Sequence, residues 1–352
     1  MRRPTMAPRR LIAIFCVIVA VSIAFPLSAA FALDKITMAI TGTSSDVGSF
    51  IALDKGYFRA EGLDIDQQTT GMGVTTIAPL AAGEFDIAMG AATVPFYNAV
   101  ARKVGVKIVA SVSDAPPGYG HNLLIVRNAL IVSGRYKQPT DIKGLKIAMP
   151  SPGSSATATL NAWLTAIGLT FNDIEPVYLT YPNHVVALAN GSIDVGLTTE
   201  PQASQAIAAG SATRVTSDDE MDPNHEASVM LYSDKFIRER PEVGLRFMRA
   251  YLRGVRDYND SLQGGKIGGP NADEVIGVLT KYTELKDGNI YRSISPQGAE
   301  PDGMLNVASL KKDLVFYKLQ GWIEAPVEVE QAIDTSFATK AAKDLGPYVK
   351  KQ

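Results

Sequence analysis

The chain has 352 residues, with 34 Lys and Arg against 36 Asp and Glu, a net charge of −2 and a single cysteine. That length is enough for two domains of ordinary size. The charge balance offers nothing to a nucleic-acid partner, and one cysteine excludes a disulfide within the chain.

In chain order, residues 1–32 read as a secretory signal peptide. Met1–Arg10 carries four arginines and no acidic residue, Leu11–Leu27 is almost wholly apolar, and Ala30-Phe31-Ala32 has the small-x-small pattern of a cleavage site. The apolar core is about 15 residues, short of the roughly 20 that a spanning helix needs. Cleavage between Ala32 and Leu33 removes Cys16, so disulfides, thiolate chemistry and cysteine-ligated metals are excluded from the exported chain, which is expected in the periplasm.

The next elements alternate. Lys35–Ile40 is a predicted strand, Thr41–Gly48 a loop, Ser49–Phe58 a helix, Leu63–Thr69 a strand, Gly71–Gly73 a turn and Val74–Ala82 a helix. A second unit follows: strand Leu145–Met149, loop Pro150–Ser155, helix Ala156–Ile167, strand Pro176–Tyr181 and helix His184–Asn190. Leu80-Ala-Ala-Gly-Glu-Phe-Asp86 can be laid over Leu188-Ala-Asn-Gly-Ser-Ile-Asp194, each a glycine-stopped helix leading into a buried strand. The repeat implies an α/β protein of two similar lobes, each a mainly parallel sheet flanked by helices. Ala227–Tyr232 is a strand leading back to the first lobe. Pro241–Asp260, Ala272–Tyr282, Leu305–Gln320 and Val327–Lys343 make the C-terminal part helical, with Gln263–Pro270 a glycine-rich loop. Lobe one is expected over 33–121 and 228–352, lobe two over 122–227.

Several of these segments resemble a known family. Lys55-Gly-Tyr-Phe-Arg-Ala-Glu-Gly-Leu-Asp-Ile65 is similar to the KGYF-x-x-EGL-x-V signature of the nitrate, sulfonate and taurine substrate-binding proteins of ABC transporters, a group that also includes binders of thiamine-pyrimidine precursors. Asp141-Ile-Lys-Gly-Leu-Lys-Ile147, Glu200-Pro201 and Trp322-Ile-x-x-Pro326 resemble further motifs of that family. The resemblance implies a two-lobed type II periplasmic-binding-protein fold, a small-molecule ligand, an ABC permease as membrane partner, no cofactor and a monomer. It also implies capture of a sulfonate, taurine or related molecule by hinge closure. The alternatives are a pyrimidine-precursor binder or synthase-like enzyme of thiamine metabolism, and a sensory protein that presents its ligand to a receptor.

In an open sheet, ligands bind beyond the carboxyl ends of the strands, where helix N-termini converge. That rule selects Thr43, Ser44, Ser45, Asp46 and Val47 in the first lobe and Ser154, Ser155 and Ala156 in the second. Ala92 and Thr93 end one equivalent strand, Thr199 and Glu200 the other, and Tyr119 is a candidate flat wall. No Lys or Arg lies in these segments, so hydroxyls and backbone N–H groups are the expected anion donors. Glu200 is the carboxylate expected to face an amine or hydroxyls. His121, His184 and His225 lack metal-ligand spacing, and no catalytic motif is present, so neither a metal nor an enzymatic activity is expected. The hinge is expected near Gly120–Leu124 and Glu226–Met230.

Overall fold

The computed structural model describes residues 1, 32–70 and 76–351. The signal-peptide segment and the Gly71–Gly73 turn lie outside the described residues. No helix among those described is long and apolar enough to cross a membrane.

Ten strands build two five-stranded sheets: β1 (Asp34–Ile40), β2 (Leu63–Thr69), β3 (Ile87–Gly90), β4 (Val106–Ala115), β5 (Asn122–Arg127), β6 (Lys146–Met149), β7 (Glu175–Tyr178), β8 (Val195–Thr199), β9 (Ala212–Ser217) and β10 (His225–Ser233). Their orders are β2-β1-β3-β10-β4 and β7-β6-β8-β5-β9. The repeat read from the sequence is visible in the register. Met38 of β1 faces Ile87 of β3, and Ile147 of β6 faces Val195 of β8, both pairs parallel.

Both sheets are mixed, each with one reversed strand. β10 runs antiparallel to β3 and β4, and β5 runs antiparallel to β8 and β9. Each reversed strand is the one that arrives from the other sheet. The chain leaves β4 at its carboxyl end, on the side where the lobes meet, and a strand that starts from that side must run opposite to its neighbours. The crossings are Pro116–His121 outward and Asp218–Asn224 on return. The return therefore precedes the expected Glu226–Met230, which already lies inside β10.

Helices cover both sheets, and the C-terminal part is helical. Pro241–Ser261 lays an apolar stripe of Phe247, Met248, Tyr251, Leu252 and Val255 on Ile36, Met38 and Met230. It crosses Val47–Asp54 at two glycines: a Cβ placed on Gly254 would sit 2.1 Å from the Gly48 carbonyl oxygen. Val307–Leu319 packs Leu310, Leu314, Phe316 and Tyr317 into one core with Phe96 and Tyr97 of the first lobe and Leu160, Trp163 and Phe171 of the second. The expected helix Val327–Lys343 is divided into Val329–Ala332 and Ser336–Leu345. The interruption is Ile333, which bridges to Ile108 on edge strand β4 while the Asp334 N–H donates to the Ile108 carbonyl. A backbone that pairs with a sheet edge leaves the helix at that residue.

Candidate functional site

The first-lobe loop folds onto itself. Thr43 is an exposed N-cap, and the buried Asp46 carboxylate accepts from the Thr41 hydroxyl at 2.7 Å, Gly42 N at 2.7 Å and Thr43 N at 3.3 Å. Burial pushes the Asp46 pKa up to about 6 against those hydrogen bonds. The outer face of the loop is also occupied. The Ser44 carbonyl accepts from Gln297 Nε2, and the Ser44 hydroxyl lies 3.4 Å from His121 Nε2. Burial pulls the His121 pKa down to about 4, so its ring is neutral at pH 7. Its Nδ1–H donates to the Ser295 carbonyl at 3.2 Å, which leaves Nε2 to accept from Ser44. The space left among Ser44, His121, Tyr258, Tyr291 and Gln297 is about 10 Å³, room for one water.

A measurement follows for Asp46. A carboxyl group with a raised folded-state pKa contributes stability below its unfolded value of 3.8, and that contribution is lost as pH rises towards about 6. Asp46→Asn mimics the neutral form. Its stability relative to the parent should increase between pH 4 and pH 6 by up to about 3 kcal/mol and then level off. Urea midpoints of both chains across that range test it, and a pH-independent difference would refute it.

The second-lobe loop is built differently. Ser154 caps the helix Ser155–Ala166: its N–H donates to Thr157 Oγ1 at 2.9 Å, its hydroxyl donates to the Ser151 carbonyl at 3.0 Å, and its carbonyl accepts from the Tyr317 hydroxyl at 3.1 Å. Ser155, one position on, turns towards a second space of about 30 Å³ lined by Asn122, Ser155, Ala156, Thr159, Tyr181, Asp218 and His225. The N-terminal amides of a helix have no carbonyl one turn back, so this end offers N–H donors beside the Ser155 hydroxyl. Asp218 closes one side of the space. It accepts from His121 N at 2.9 Å, Asn122 N at 3.1 Å and Asn122 Nδ2 at 2.7 Å, and burial raises its pKa to about 6. His225 closes another, with Nδ1 3.2 Å from Thr159 Oγ1 and Nε2 2.9 Å from Asp313 Oδ2.

The other expected positions lie apart from this space. Ala92 and Thr93 are buried where the lobes touch: Thr93 caps the helix Val94–Ala101, and the Val94 N–H donates to the Gly153 carbonyl at 3.0 Å. Tyr119 lies half-buried on the outward crossing against the first core. Ser45 and Val47 stay within their own loop and helix start. Thr199 ends β8, and the carboxylate of the buried Glu200 accepts from Ser204 N at 3.0 Å and the Ser204 hydroxyl at 2.8 Å, capping its own helix. His184 is fully buried. Its pKa is pulled down to about 4 by burial, and it braces Thr198 at 2.9 Å and the Leu179 carbonyl at 3.0 Å.

Of the expected residues, Ser155 and Ala156 line the larger space and Ser44 the smaller. Asn122, Thr159, Tyr181, Asp218 and His225 carry no motif and were missed. The one sequence signal for any of them is Thr159, four residues from Ser155 and therefore on the same helix face.

A family model described as NMT1/THI5 like matches residues 44–261. An Escherichia coli (strain K12) protein named for the binding of aliphatic sulfonates is 31% identical over 110 residues, 31% of this chain. The match spans only a third, 33%, of that relative's length. Among solved structures, the periplasmic aliphatic sulphonate binding protein of Escherichia coli is 18% identical, with coverage of 86% of this chain and 92% of that one at a TM-score of 0.67. The periplasmic nitrate-binding protein of Synechocystis PCC 6803 is 13% identical, with 89% coverage of each chain at a TM-score of 0.70. At such identities the likeness is one of fold, the two-lobed architecture of periplasmic binding proteins.

Proposed function

Because this chain belongs to the NMT1/THI5-like family, we propose that it is the extracytoplasmic solute-binding component of an ABC importer. In this reading it takes a small polar or anionic organic molecule of the sulfonate or taurine type, closes on it, and delivers it to a membrane permease. The supporting observation is the space at the N-terminus of Ser155–Ala166, lined by hydroxyls, an amide, an imidazole and the Asp218 carboxyl group, which is already taken up by His121 N and Asn122, beside both crossings. An oxyanion there meets N–H and O–H donors and no Lys or Arg side chain. The volume of about 30 Å³ suits part of a headgroup, so the rest of a ligand requires the two lobes to part and close again about the crossings. The sulfonate choice leans on the name of the Escherichia coli relative.

Thermal-shift titration of the chain from Leu33 onward with taurine, ethanesulfonate, nitrate and carboxylates tests the reading. A ligand that binds only the folded state raises the melting temperature by mass action, and sulfonates should produce the largest rise. Ser155→Ala combined with Tyr181→Phe should weaken the preferred sulfonate about tenfold, the worth of one or two hydrogen bonds. A chain that none of these solutes stabilises, yet that turns one over, would be an enzyme and not a carrier.

A further inference from the structure

One cluster on the return crossing shares His225 with the solute space and extends away from it through two carboxylates outside that lining. Asp222 follows the short helix Asp218–Met221, His225 opens β10, and Asp313 comes from the helix Val307–Leu319. All three are buried, at 7%, 2% and 2% exposure, and their ligating atoms lie within 4.8 Å of one another. Two of the carboxylate oxygens, Asp222 Oδ2 and Asp313 Oδ1, are buried with no hydrogen-bond partner. Buried polar atoms are normally satisfied, so an unpartnered oxygen on each of two carboxylates grouped with one imidazole calls for a missing partner.

We infer that Asp222, His225 and Asp313 form a divalent-cation site of the zinc class. The imidazole is already set for it. The Thr159 hydroxyl donates to the Ser155 carbonyl at 3.1 Å, so its oxygen is free to accept from His225 Nδ1 at 3.2 Å. Without metal, His225 Nε2–H donates to Asp313 Oδ2 at 2.9 Å; an entering cation would displace that proton while Thr159 keeps the one on Nδ1, the orientation that an outer hydrogen bond imposes on a metal-bound histidine. One nitrogen and two carboxylate oxygens, with water in the fourth position, suit tetrahedral zinc; calcium prefers an all-oxygen shell. Lys312 pairs with Asp222 Oδ1 and competes for the site. Its side chain is 48% exposed and can turn into solvent when a cation enters. The bound ion would tie the return crossing to the C-terminal helix that packs against both lobes.

The test uses untagged chain stripped with EDTA and then titrated with Zn²⁺ or Ca²⁺, with retained metal counted after desalting. One zinc per chain at micromolar affinity or tighter is expected, with no retained calcium. His225→Gln and Asp313→Asn should each weaken zinc about 100-fold. Lys312→Ala alters only a half-exposed side chain, and it should strengthen zinc by removing the competing ammonium. Failure of the parent to retain zinc, equal retention by His225→Gln, or unchanged zinc affinity in Lys312→Ala would each overturn the site. His225 also lines the solute space, so Asp313→Asn and Lys312→Ala, whose side chains do not line it, are the variants that separate loss of zinc from loss of sulfonate binding in the titration.

Discussion

Gly254→Ala should lower the stability of the chain by about 3 kcal/mol, seen as a reduced urea midpoint with an unchanged slope. Its new Cβ would lie 2.1 Å from the Gly48 carbonyl oxygen and 3.0 Å from Ala52 N, both backbone atoms of the facing helix. Backbone cannot rotate aside, so relief requires the helices Val47–Asp54 and Pro241–Ser261 to separate and lose packing around Phe50, Tyr251 and Val255. Gly277→Ala supplies the control. That glycine is exposed in the helix Ala272–Tyr282 with nothing within 4 Å of the added Cβ, so alanine there should raise stability by about 0.5–1 kcal/mol. Equal effects at the two positions would mean that the close crossing is not a constraint.

Gly153→Val should weaken solute binding about 100-fold while the fold is retained, since roughly 3 kcal/mol of penalty on the closed arrangement converts to that factor. Gly153 has φ +62, and an added Cβ would stand 2.4 Å from Val94 Cγ2. The same two residues share the Val94 N–H to Gly153 carbonyl bond that joins the lobes. A β-branched side chain resists the left-handed backbone and also forces the second-lobe loop off the helix Val94–Ala101. Calorimetric affinity for the best sulfonate reads the effect, and solution scattering should show a variant that stays extended when ligand is added. Parent-like affinity would mean that closure does not use this contact.

Much of the architecture was legible because it rests on local patterns. The glycine-stopped helices before Asp86 and Asp194 and the apolar runs after them fix β3 and β8, and the matched register follows from the repeat. The reversal of β5 and β10 was not legible, since periodicity carries no strand direction. Nor was the break at Ile333, which depends on the edge of β4 more than 200 residues earlier in the chain. At the site, the loops were found but side-chain direction was not. Ser154 and Ser155 are neighbours of one type, and a single step along the helix start turns one into a cap and the other towards the open space. Glu200 looked like a ligand group because of its strand-end position, whereas Ser204 one helical turn later takes its carboxylate. His225 was set aside for want of spacing; its partner Asp313 lies 88 residues away and meets it only after the C-terminal helix docks.

The reversed strands also set an order of assembly. The second sheet draws all its strands from one continuous stretch, Asn122 to Ser217, and can form as soon as that stretch is available. The first sheet cannot finish. Its β3 and β4 have no neighbour between them until β10 arrives more than a hundred residues later, and until then their facing edges offer unpaired N–H and C=O groups to any passing strand. In a chain emerging from its N-terminus the first sheet is therefore completed after the second, and its open β3 and β4 edges are the ones exposed in the meantime.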